Sequence, residues 1–351
     1  MSPTPQVSGK APFAMLKKVL IFLLKLLLTG SCLAWALSQV NLGHSVFARP
    51  GAVDYRWLTG GVVMAGLTVA LTALRWRLYL IAQGVDPGMR RTIELTLIGN
   101  LFNLLSIGGI GGDAARILLL IRDHPGKKLA VTMAVLVDHL AGMVALAGMF
   151  FIVSVAKFDA LANQSHLGKG VIHFAWVYLS GGLGLVLLCF LAACPPVHRR
   201  IHANGREWKW KLMRRIPETY DVYRKKWPLA LAGVAISFLM LLAYFLSFWC
   251  GLRAVGGTAS AGTVLSAMPV IDSVSSLPVS VAGIGVREKL FEILMRDLSD
   301  TPPEVSVAAS LAGFACSVFW AFVGGLLFLR KRDRVTVAEL EGVDQKAEGA
   351  A

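Results

Sequence analysis

The chain has 351 residues, 56% of them hydrophobic and only 16% charged, with a formal net charge of +14. Soluble domains carry about 25% charged residues, and here the apolar mass falls in blocks of the roughly 20 residues that a bilayer core requires. That excludes an ordinary soluble enzyme and predicts an all-α polytopic membrane protein. Nucleic acid is not an expected partner, because the Lys and Arg residues cluster in short connections where they set topology and meet anionic headgroups.

In chain order, residues 1–18 form a polar cytoplasmic segment, followed by a retained first span, Val19–Val40. It is too long for a signal core and lacks an obvious cleavage site. Further spans are expected over Trp57–Ala82, Leu129–Ala156, Val171–Ala193, Pro228–Leu252 and Val305–Leu329, giving about six. The transmembrane unit covers 19–334, interrupted by a basic cytoplasmic connection over 195–227, and a disordered cytoplasmic tail over 335–351 follows. Trp208 and Trp210 among the cations of that connection suit either an interfacial helix over Arg206–Arg215 or an ordinary anchored loop. The five cysteines form no CxxC pair and read as small apolar residues of helices.

Two apolar stretches do not read as simple spans. Thr92–Ile121 is broken at Ser106–Asp113 by glycines, and Thr258–Met295 by Pro269, Pro278, Gly283 and Gly285. Backbone freed at membrane depth must find protein or water partners. Arg91 and Lys127 flank the first stretch and both belong in the cytoplasm under the positive-inside rule. The first stretch should then be a re-entrant hairpin from the cytoplasmic face and the second a hairpin from outside, as in inverted-repeat transporters. The competing layout makes each arm a full span, eight or more helices with the same parity.

Charged residues inside these stretches are costly and hence candidates for function. Asp113 and Arg116 stand three apart, so they share a helix face. With Gly111, Gly112, Asn100 and Asn103 they form either an anion cradle at a helix start or a structural ion pair. Ser280, Gly283, Gly285, Arg287 and Glu288 repeat the design, with Asp272 a few turns earlier. Glu288 suits the positive end of a helix, which would leave Arg287 facing a cavity or a phosphate. Asp138 and His139 lie inside a span, His139 as a proton carrier or as a satisfied hydrogen-bond partner. Glu94 reads as solvated near a boundary, and Arg75 and Arg77 as snorkelling to phosphate. No metal, nucleotide or catalytic motif is visible, so no cofactor is expected.

On the residues Asn100 to Arg116, Asp138-His139 and Pro278 to Glu288, the chain resembles the flippase-like, lysylphosphatidylglycerol synthase transmembrane family, over roughly Lys17 to Arg334. His139 stands where members typically carry Arg. The resemblance implies the membrane part only, with no aminoacyl-transfer domain expected. It implies movement of an anionic phospholipid or a polyprenyl-linked glycolipid between leaflets of the cell inner membrane, with both termini cytoplasmic. Membrane lipids are the expected partners, and the oligomeric state stays open. The rival reading is a membrane enzyme, or an accessory of a glycosyltransferase acting on lipid-linked sugars, with Asp113 and Glu288 as acid and base.

Overall fold

The computed structural model describes residues 53–105, 111–156, 165–193, 216–277 and 280–330, and among them it has ten α-helices and no strand. Five helices are long and apolar enough to cross a membrane: α1 (Tyr55–Ala82), α4 (Lys128–Ala156), α5 (His166–Ala193), α7 (Trp227–Ala254) and α10 (Pro303–Arg330). Each has 28 or 29 residues, or about 42 Å, enough for a ~30 Å hydrocarbon core with tilt. They match the expected spans to within a few residues. α5 starts earlier than expected because Ser165 caps it, accepting the Gly168 N–H at 3.2 Å. The first span Val19–Val40, the segment 1–18, the Trp-containing stretch 206–215 and the tail 335–351 lie outside the described residues.

The interrupted stretches are pairs of short helices. α2 (Met89–Leu105) and α3 (Gly111–Asp123) form the first, and α8 (Ala261–Ser275) and α9 (Val286–Ser299) the second. At 13 to 17 residues they reach about 20–26 Å, short of a crossing. This favours hairpins over full spans. Pro269 sits inside α8 without ending it; the chain turns later, through a 3-10 turn at Val281–Gly283. A short amphipathic helix, α6 (Ile216–Lys225), leads into α7.

Directions follow from contacts at the helix ends. The Asp54 N–H donates to the Ala254 carbonyl at 2.8 Å, joining the start of α1 to the end of α7. At the other end, Lys226 Nζ donates to the Ala82 carbonyl at 2.9 Å. α1 and α7 are therefore antiparallel. The base of the first hairpin is tied by Arg91 to Asp123 at 2.8 Å, on the face where α1 ends and α4 begins. The second hairpin has its base on the opposite face, where Ser165 Oγ donates to Asp297 at 2.5 Å. Each half thus reads span, hairpin, span (α1, α2–α3, α4 and α7, α8–α9, α10), with the halves in opposite orientation.

Small residues let these helices approach, as membrane packing requires where lipid is as apolar as Leu. A side chain at Gly233 would strike the Tyr79 ring, one at Gly251 the Gly313 backbone, and one at Gly324 the Leu97 carbonyl.

Candidate functional site

One cavity of about 480 Å³ lies where the two hairpins meet. The first hairpin contributes Asn100, Asn103 and Leu104, and the second contributes Asp272, Ser275, Ser276, Ser280, Gly283 and Arg287. α1 adds Thr68 and Thr72, α7 adds Tyr244, and α10 adds Phe314 and Ser317. The volume lies within the range of small-molecule sites, roughly 300–1,000 Å³.

The turn that delivers Arg287 is fixed by its own backbone. Ala282, Gly283 and Gly285 have φ of 52°, 74° and 85°, the left-handed region that only glycine adopts freely. At the start of α9, the Gly285 N–H donates to Glu288 Oε2 at 2.5 Å. Ser310 Oγ donates to Glu288 Oε1 at 3.1 Å, and Arg287 Nη2 to the same oxygen at 2.8 Å. Glu288 is thereby saturated and fully buried. The Arg287 guanidinium lies 4.1 Å from the Phe314 ring centre, a cation–π contact strengthened by desolvation. Arg287 lines the cavity, but its charge is already paired.

Asp272 differs. Among the described residues no side chain donates a hydrogen bond to its carboxylate, and none forms an ion pair with it. One turn later on the same helix, the buried Ser275 hydroxyl also lacks a hydrogen-bond partner. Both line the cavity.

The glycine motif of the first hairpin does other work. The Gly112 N–H donates to Asn103 Oδ1 at 2.8 Å, locking α3 against α2. Arg116 pairs with Asp113, as the spacing predicts, and lies 5.1 Å from the centre of the Trp76 ring. His139 Nε2 meets the other Asp113 oxygen at 2.6 Å, so His139 is hydrogen-bonded while its side chain stays 61% exposed. Gly111, Gly112, Asp113, Arg116, Asp138 and His139 do not line the cavity. Nor do Gly285 and Glu288, which stand behind its wall. Asn100, Asn103, Asp272, Ser280, Gly283 and Arg287 do line it.

Three expectations change. Arg75 does not snorkel: Nε donates to Asp138 Oδ1 at 2.6 Å, Nη2 to Oδ2 at 3.0 Å and Nη1 to Ser237 Oγ at 3.1 Å, tying α1, α4 and α7 together. Arg77 pairs with Asp86 at 2.9 Å. Glu94 is buried beside Arg91 rather than solvated, at 2.9 Å. Sequence reasoning also passed over Lys289 and Glu292, a buried pair 2.6 Å apart on α9. Their i,i+3 spacing beside Arg287 and Glu288 was the available signal.

Residues 22–325 match the family described as lysylphosphatidylglycerol synthase TM region. Neither the curated proteins nor the solved structures provide a match.

Proposed function

This chain belongs to the lysylphosphatidylglycerol synthase transmembrane-region family, a membrane family related to lipid handling, and on that premise we propose that it moves a lipid between leaflets. The lipid is an anionic phospholipid or a polyprenyl-linked glycolipid, and the membrane is the cytoplasmic one, with the basic face inside. Its role is transport rather than catalysis. The observation that carries this reading is the polar cavity held between two hairpins that enter from opposite faces. A headgroup passing through it meets Asn100 and Asn103 from one side and Arg287, Asp272 and Ser280 from the other, while the acyl chains remain in lipid. Such a path removes most of the cost of drawing a polar headgroup through hydrocarbon.

Reconstitution tests it. Purified protein in liposomes should accelerate leaflet exchange of labelled phosphatidylglycerol, and Arg287→Ala should slow the exchange by about tenfold or more. Thr72→Leu adds apolar bulk to the wall without touching an ion pair, and it should slow exchange as well. Exchange equal to that of empty liposomes across phospholipids and polyprenyl-phosphate lipids would sink the reading.

A further inference from the structure

We propose that Asp272 is a proton-binding site in this cavity and that an anionic headgroup crosses together with a proton. The inference rests on the lipid-transport reading above and names the ion that accompanies the lipid.

The charges facing the cavity are few. α9 supplies Arg287, whose guanidinium is held by Glu288, itself fixed by the Gly285 N–H and the Ser310 hydroxyl. That pair is an ion pair closed on itself by these hydrogen bonds. α8 supplies Asp272, with no hydrogen-bonded or ion-paired partner among the described residues. α7 supplies Tyr244, a phenol. α1, α2 and α10 line the cavity with uncharged side chains only. α4 and α5 also pack against α8, but the charged groups of α4 at this depth, Asp138 and His139, are engaged by Arg75 and Asp113, and no titratable group of α5 reaches the cavity.

With Asp272 ionised the cavity therefore carries one net negative charge. A phosphate entering it would be repelled, since the lining cation, Arg287, already faces the two carboxylates of Glu288 and Asp272 and the surroundings screen poorly. With Asp272 protonated the cavity is neutral. The carboxyl and the unpartnered Ser275 hydroxyl then become donors to phosphate oxygens, and Arg287 can share its remaining N–H groups. Proton and anion therefore bind favourably together and unfavourably apart, which is the linkage that symport requires. No bond is made or broken except the O–H at Asp272. The proton is taken from one aqueous face and released to the other with the lipid.

The test uses proteoliposomes holding labelled phosphatidylglycerol and a pH difference across the membrane. The readout is the plateau ratio of label between leaflets, which depends on coupling and not on turnover rate. For one proton per singly charged lipid, the wild-type ratio should approach about tenfold per pH unit, with lipid accumulating on the alkaline side. Asp272→Asn should bring the plateau to an even distribution, and Asp272→Glu should restore the gradient-driven ratio. A wild-type protein that exchanges lipid but ignores the gradient overturns the proposal and leaves the transport reading standing. So does an Asp272→Asn protein with the wild-type ratio, or an Asp272→Glu protein that exchanges without coupling. Absence of any exchange removes both.

Discussion

Deleting one partner of the Arg75–Asp138 pair leaves the other buried without its ion-pair partner. Both side chains are below 8% exposed, and Arg75 also reaches Ser237 on α7. Breaking such a pair costs about 3–5 kcal/mol, whereas replacing both groups by apolar residues is often near neutral. Arg75→Met should therefore lower stability in a denaturant titration by that amount, and Arg75→Met with Asp138→Leu should regain most of it. A single substitution costing less than the double one would contradict the clamp. The turn at Gly283 makes a second residue-level case. Ala there would hold a left-handed φ and crowd the Ser275 carbonyl, so Gly283→Ala should cost about 1–2 kcal/mol. Ala282→Gly, at a φ of 52°, should be neutral or stabilising by the same measurement. The local half of this chemistry was readable from spacing: Asp113 with Arg116, and Glu288 at a helix start. The Arg75–Asp138 pair was not. Its members are 63 residues apart, and an arginine near the end of a span looks the same in sequence whether it meets a phosphate or a carboxylate.

The elements were legible wherever the bilayer dictates them. A run of apolar residues long enough to cross can do little else in lipid than form a helix, so the five described spans end within a few residues of expectation. The hairpins followed from charge parity together with glycine. What spacing did not reveal is that the two glycine motifs do unlike work. In the first hairpin the glycines close α2 on α3, and in the second they aim a side chain at the cavity. Two substitutions separate packing from binding in the first hairpin. A Cβ at Gly112 would run into the Gly99 carbonyl, which belongs to the α2 backbone, and into the Asn103 side chain. A Cβ at Gly99 would instead meet Arg116 Cγ at 2.9 Å and the Gly112 carbonyl at 3.2 Å, a looser approach to backbone than at Gly112. Gly112→Ala should thus cost about 1–3 kcal/mol and slow lipid exchange, because Asn103 lines the cavity and would be displaced. Gly99→Ala should cost less and leave exchange closer to wild type. Equal losses at the two positions would show that the hairpin is not held in the way its contacts indicate.

Across the whole molecule, the inverted arrangement brings two short hairpins to one cavity. Each reaches only part of the way, about 20–26 Å of a ~30 Å core, so neither face is connected to the cavity by a continuous helix of the hairpin opposite. On the proposed transport reading, a headgroup arriving from either face would enter the one cavity that both hairpins line. This requires the hairpin bases to be exposed on opposite faces, which cysteine labelling measures directly. Arg90 and Lys127 flank the first hairpin, Thr258 and Pro302 the second, and all four are exposed. Cys250 and Cys316 are buried, and labelling is read over that of the parent protein. In sealed vesicles of one orientation, an impermeant maleimide should label Arg90→Cys and Lys127→Cys from one side only, and Thr258→Cys and Pro302→Cys from the other only. If all four react from the same side, the hairpins do not oppose each other, and the cavity they both line has no role in carrying a headgroup across.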